Sequence, residues 1–285
     1  MEQLQIRRND IVIPGLKKEY KFLQITDIHV AHSDEGSDEF DLHMVEKSHK
    51  KWFDLKKEMA TKAGEVSPAW CDGKSAEEMM ELLGEHAEAI GADALLISGD
   101  AVDFDSAANI RFMQDYMARR KVPVIYIPGN HEHMDEKEAH RNCYDLLTPI
   151  MPDPAFRVFD YGEFEIVAFD DAQKDATDEQ IAALEAECAK GKPIILLVHI
   201  PINLGYFKTT VRSQIGHYFL FGVEYDTENA RKLVDVIARP DNNIAAILAG
   251  HIHYTAEGEF TEGRMQYTTS SGLIGGCREI TVKGE

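Results

Sequence analysis

The chain has 285 residues, enough for one large domain with a full core or for a domain carrying an insertion, and its 44% hydrophobic content is that of a soluble globular protein. Asp and Glu number 50 against 30 Lys and Arg, a formal net charge of -20, which repels nucleic-acid phosphates and anionic lipid at long range. Bulk nucleic-acid and membrane binding are thereby excluded, although two divalent metals can still make one cleft locally positive.

Short apolar runs alternate with helix-periodic polar stretches, the pattern of an α/β protein with buried strands. The run FLQIT ends at Thr26, just before Asp27. Residues 32–73 follow, charged, rich in Lys and Glu, and long for a connection. They read as a helical insertion or cap, with 39–62 able to form one or two helices and a solvated lid as the expected role. Next come a helix over Ser75–Gly91, the strand ALLIS before Gly99, a helix over Ala107–Arg120 and the strand VIYIP before Gly129. RVFDY and EFEIVAF flank Gly162 like a hairpin. A helix over Thr177–Lys190, the strand IILLV before His199, a helix over Thr227–Ala238 and the strand IAAILA before Gly250 continue the alternation. The stretches GRMQYTTSSG and CREITVK have the β-branched content of further strands. A single domain over 1–285 is expected, without internal repeats or low-complexity tracts.

Cys71, Cys143, Cys188 and Cys277 form no CxxC pair and read as free thiols. The first residues lack the apolar run of a signal peptide, and no stretch approaches the roughly 18 apolar residues of a membrane span, so a reducing cytoplasm is the expected compartment.

The best strand candidates share one property: each is followed at once by Asp, His or Asn. The residues are Asp27-Ile28-His29, Gly99-Asp100, Gly129-Asn130-His131-Glu132, His199 and Gly250-His251-Ile252-His253. Ligands of open α/β sheets bind outside the carboxyl ends of strands, so residues placed there can converge from distant parts of the chain. Glycine before Asp100, Asn130 and His251 permits the tight turn by which a residue leaves a strand and points into a site. Each piece alone is commonplace, since a lone DxH or HxH is usually a turn or a satisfied surface group. Imidazole, carboxylate and amide ligands suit Mn, Fe, Zn or Co better than Mg or Ca. Seven ligands are too many for one four-coordinate ion with an open position and about right for two ions sharing a carboxylate.

Taken in order, with Asp103 completing Gly99-Asp100-Ala101-Val102-Asp103, these elements resemble the calcineurin-like metallophosphoesterase superfamily over roughly residues 20–255. The resemblance implies an α/β fold of the metallophosphoesterase type, a β-sandwich flanked by helices in four αββα layers. It implies a phosphoesterase acting on a small phosphomonoester or phosphodiester, with two divalent or trivalent transition-metal ions. One would be held by Asp27, His29 and His253, the other by Asn130, His199 and His251, and Asp100 would bridge them. A metal-bound hydroxide would attack phosphorus without a covalent phosphoenzyme. His131 would stabilise the transition state or protonate the leaving oxygen, Asp103 would orient it, and Glu132 would support the loop.

Protein Ser/Thr phosphatases of this superfamily usually carry Arg where this chain has Phe104, which argues against that branch. His32 is close enough in sequence to reach a substrate phosphate. Arg212 lies in Leu204–Gly222, a stretch whose Tyr206, Phe207, Lys208 and Tyr218 could line the pocket around a nucleotide or other aryl-bearing ester. His133 reads as a surface residue, Asp170 and Asp171 as a turn or a cap before Thr177, and His43, His49, His86, His140 and His217 as solvent-facing or structural. The rival to an enzyme is a scaffold on the same fold with little or no catalysis, disfavoured because no ligand position is degraded. The physiological ester, the metal pair and the oligomeric state stay open.

Overall fold

Every residue of strand β3 (Ala94–Ser98) is buried, with Leu95 and Ile97 in one apolar cluster and Ala94 and Leu96 in another. Alternate side chains of a strand leave on opposite faces, so such a run demands cover on both sides. Strand β7 (Ile194–Leu197) divides in the same way, Ile194 and Leu196 against Ile195 and Leu197. A computed structural model, describing residues 4–63, 73–133, 143–224 and 226–285, shows how that cover is supplied.

One sheet joins β1 (Gln5–Val12), β11 (Gly276–Lys283), β2 (Tyr20–Ile25), β3 and β4 (Val124–Ile127), in that order. The other joins β5 (Phe156–Asp160), β6 (Glu165–Phe169), β7, β8 (Ile244–Ala249), β10 (Arg264–Thr268) and β9 (Ala256–Thr261). Between the sheets lies a core that includes Phe22, Leu96, Ile127, Ile166, Leu197 and Leu248. Helices α2 (Ala76–Ala89), α3 (Ala107–Arg119) and α4 (Cys143–Leu147) cover the outer face of the first sheet through residues such as Met79, Leu83, Met113 and Leu147. Helices α5 (Asp178–Ala189) and α7 (Glu228–Ala238) cover the second through Leu184 and Leu233, with the four-residue α6 (Arg212–Ile215) between them in sequence. The layers are therefore α, β, β, α, as expected.

Helix starts follow the capping chemistry. Ser75 and Thr177 each accept from the N–H three residues on, and Glu78 and Gln180 answer with reciprocal bonds. Thr227 caps α7 by accepting from Ala230. Two strands, β1 and β9, were absent from the sequence expectation; both are edge strands with polar sequences.

Within 32–73 the structure has one long helix, α1 (Glu39–Ala63), and residues 64–72, with Cys71, lie outside the described residues, as does His140. Much of α1 is exposed, and its inner face buries Met44 and Val45 against Ala31 and Phe104. Phe104 is fully buried there. No disulfide joins Cys143, Cys188 and Cys277 to one another among the described residues. No helix among the described residues is long and apolar enough to cross a membrane.

Strands β2, β3 and β4 are parallel, and so are β6, β7, β8 and β10. The carboxyl ends of the two parallel sets meet. Gln24 Nε2 donates to Ala249 O across the sandwich at 3.0 Å, and His199 Nδ1 lies 2.8 Å from Ser98 O.

Candidate metal centre

Each predicted ligand leaves its strand within four residues of the end, from β2 to Asp27 and His29, β3 to Asp100, β4 to Asn130, β7 to His199 and β8 to His251 and His253. Asp27, His29, Asp100, His251 and His253 all have φ between 51° and 67°, a left-handed backbone that side chains with a Cβ rarely adopt. Among the described residues only Asp153 and Lys174 otherwise do so without being glycine. Such concentrated strain persists where the surroundings fix it, and it turns these side chains inward.

The predicted ligand atoms fall into two sets, and a third group joins His29 to Asp103 and His131. Ligand atoms of Asp27, His29, Asp100 and His253 lie within 4.8 Å of one another, and so do those of Asp100, His199 and His251. Asp100 belongs to both. Within the first set His29 Nε2 stands 3.1 Å from His253 Nε2, which is 3.1 Å from Asp27 Oδ1. Within the second, His199 Nε2 is 3.2 Å from His251 Nδ1, 3.1 Å from Asn130 Oδ1 and 3.3 Å from Asp100 Oδ2. Metal bonds of about 2.0–2.2 Å place neighbouring ligand atoms about 3 Å apart, so both sets fit a transition-metal ion. Asp27 Oδ1 is buried without a well-oriented hydrogen bond, although the His253 nitrogen is near. The other oxygen, Oδ2, accepts from Thr26 Oγ1 and His251 N, leaving Oδ1 aimed into the cage.

Electrostatics point the same way. Burial, then the neighbouring His131, pushes the His29 imidazole down to about 4, and burial with His199 pushes His251 down to about 3. Both are thus neutral, the form that ligates metal. Burial opposes charge on His199 as well, but Asp100 and Asp27 outweigh it and raise this ring to about 10. Asp100 stays well below the usual carboxylate range despite burial, through His199 and His131. A cage of carboxylates that draws its positive charge from protons is one that a cation suits.

Beside the first set, His131 Nδ1 lies 2.7 Å from Asp103 Oδ1, the expected orienting contact. Against burial, Asp100 and Asp103 raise His131 to about 9. Asp103 does more than expected, because its Oδ1 is also 3.2 Å from His29 Nδ1. Glu132 supports two loops: it accepts from the N–H groups of Gly129, Asp100, Ala101 and Val102 and from the Tyr126 hydroxyl.

The glycines act mainly through space. Gly99 alone of the three has positive φ, at 87°. A Cβ on Gly129 would sit 2.2 Å from Asp100 Oδ1, and one on Gly250 would sit 1.9 Å from Thr26 Oγ1.

The other candidates have their own surroundings. The His32 ring lies 5.3 Å from that of Phe112 in α3, and its Nδ1 is 3.8 Å from Glu77 in α2. Arg212 is ion-paired with Glu224 at 2.5 Å, and Phe207 is fully buried. From that stretch it is Phe219 that approaches the cage, 5.9 Å from the His251 ring and 45% exposed. His133 is buried, not on the surface, with Nε2 2.9 Å from Asp170 and Nδ1 3.0 Å from Cys143 Sγ. Of the turn or cap expected at Asp170 and Asp171 the turn is what forms, with Asp170 Oδ1 accepting from Ala172 N–H and Asp171 O from Lys174 N–H, while Thr177 caps α5; Asp171 also accepts from the N–H groups of His199 and Ile200 and so sets the loop after β7. Burial pushes Asp171 up to about 7.

Trp52 and Ser48, both on α1, escaped the sequence reading. Trp52 stacks on His29 with ring centroids 3.9 Å apart, and its indole N–H donates to Asp103 Oδ1 at 2.8 Å. Ser48 Oγ donates to Asp103 Oδ2. No local motif marks either; only the shared face of residues four apart on a helix could have linked them.

Against known proteins, the family model described as calcineurin-like phosphoesterase matches residues 20–255. A probable cyclic nucleotide phosphodiesterase of Fibrobacter succinogenes is 27% identical over 163 residues, which span 56% of this chain and 57% of that relative. Among solved structures, a dimetal phosphatase from Danio rerio superposes with a TM-score of 0.50 at 12% identity, covering 90% of this chain and 88% of that one. This likeness concerns the fold.

Proposed function

Because the chain belongs to the calcineurin-like phosphoesterase family, we propose that it hydrolyses a small phosphate ester at the two donor sets joined by Asp100. The sharing of that one carboxylate is the observation that carries the reading. Asp27, His29 and His253 would hold one ion, Asn130, His199 and His251 the other, and Asp100 would serve both. Nitrogen and oxygen donors of this kind favour Mn, Fe or Zn. Ions bound there would supply Lewis acidity toward the phosphoryl group and activation of a water at neutral pH.

The protein's own part is orientation and proton delivery. Asp103 occupies Nδ1 of His131, which leaves Nε2 to serve the ester. A protonated His131 ring paired with Asp103 can donate to the departing oxygen as general acid. The strained loops fix the donors before substrate arrives, so little reorganisation accompanies the reaction. No side chain need act as nucleophile.

The relative's name and the exposed Phe219 beside His251 favour a diester with an aromatic, nucleoside-like group over a simple monoester. Turnover of bis-p-nitrophenyl phosphate and p-nitrophenyl phosphate with added Mn²⁺ tests this. Faster cleavage of the diester is expected, and no cleavage of either after metal reconstitution overturns the enzyme reading. Asp100→Asn should remove at least one ion and abolish turnover; a fully metallated, fully active variant overturns the shared-ligand assignment.

A further inference from the structure

We propose that helix α1 is a working part of the catalytic centre, with Trp52 and Ser48 as positioning residues that clamp His29 and the Asp103–His131 pair. The inference deepens the phosphoesterase reading and rests on it for the roles of His29 and His131.

Asp103 is mostly buried, and its two oxygens face four partners. Oδ1 meets His131 Nδ1, His29 Nδ1 and the Trp52 indole N–H; Oδ2 meets the Ser48 hydroxyl. Two of the four therefore come from α1. A carboxylate that must orient two imidazoles needs its own lone pairs fixed, and α1 supplies the groups that fix them. The indole adds a steric restraint. It lies nearly parallel to His29, at 20°, with the rings of His253 and His131 at 5.7 and 6.0 Å. Trp52 is only 7% exposed, so its ring is a wall of the cage rather than a surface for substrate. His49 Nε2 at 2.9 Å from Ala31 O ties the same turn of α1 to the chain just beyond His29.

Packing secures the helix at this register. Met44 and Val45 bury Phe104, the residue directly after Asp103. Lys51 Nζ lies 4.1 Å from the Trp52 ring centroid, a cation–π contact on the exposed side of the helix. Helix, indole and Phe104 thus form one unit around Asp103.

The test uses the full chain in a Trp70→Phe background, which leaves Trp52 as its sole tryptophan. Mn²⁺ is titrated into metal-free protein while Trp52 emission is followed. Emission should change saturably with the ion, because the indole touches a ligand. Trp52→Phe keeps an aromatic face and loses the donor, and Ser48→Ala loses the hydroxyl; Ser48→Thr should rescue. Each loss should lower Mn²⁺ affinity, by equilibrium dialysis, or kcat by roughly 10- to 100-fold, the usual effect of partners behind metal ligands. In both, the alkaline limb of the kcat–pH profile should move, while KM holds. Wild-type affinity, kcat and pH profile in both variants overturn the proposal, as does Trp52 emission indifferent to Mn²⁺. If Mn²⁺ binding depends on Trp52 and Ser48 but neither ester is cleaved, the positioning role stands and the phosphoesterase reading fails.

Discussion

Glu132 binds the N–H groups of Gly129, Asp100, Ala101 and Val102 at 2.7 to 3.2 Å, so one carboxylate joins the loop of Asn130 to the loop of Asp100. An amide cannot replace it, because its NH₂ would face donors. Glu132→Gln should therefore cost about 1–3 kcal/mol of unfolding free energy, read by urea denaturation, and weaken Mn²⁺ binding as well. Unchanged stability would show that the loops hold themselves. His131→Ala should behave oppositely, with metal content near wild type and kcat lower by about 10²- to 10⁴-fold; loss of metal there would make His131 a ligand. The seven proposed ligands, His131 and Asp103 could be read from sequence because each sits in a short motif at a strand end. Asp171, Ser48 and Trp52 could not, since they act on the site from separate segments and through hydrogen bonds that only the fold brings about.

Among the elements, buried strands announced themselves because cover on both faces requires unbroken apolar runs such as ALLIS and IILLV. Edge strands carry no such requirement. The sequence QIRRNDIV of β1 buries only Gln5 and Ile11, and its partner β11 lies at the other end of the chain, so nothing local marks it as a strand. Helix α1 was expected within 39–62 and spans Glu39–Ala63, but its packing face was not legible: the face it buries carries Asp41, Ser48 and Lys56 beside Met44, Val45 and Trp52, which is not an apolar stripe. The loops between elements can be tested through their glycines. Gly250 stands where a Cβ would come within 1.9 Å of Thr26 Oγ1 and 2.8 Å of Asp27 Oδ2. Gly250→Ala should push the β2 and β8 loops apart, costing about 1–3 kcal/mol by overpacking and lowering Mn²⁺ affinity. A variant with wild-type melting temperature and metal content would show that the junction has room.

For the whole molecule, the excess of 50 acidic over 30 basic residues acts on every approaching ester, whereas the proposed ions act only near the cage. An anionic phosphate diester is repelled until it comes within a few ångström of the centre. Added salt shortens the Debye length from about 30 Å at 0.01 M to about 8 Å at 0.15 M. Screening on that scale weakens the distributed repulsion more than the short-range attraction to two ions, which operates inside the screening length. At fixed, saturating Mn²⁺, kcat/KM for bis-p-nitrophenyl phosphate should thus rise as NaCl is added over this range. Its kcat should stay level, because the bound complex no longer depends on encounter. A steady fall of kcat/KM would mean that the cleft's positive field reaches beyond the acidic surface and steers substrate inward.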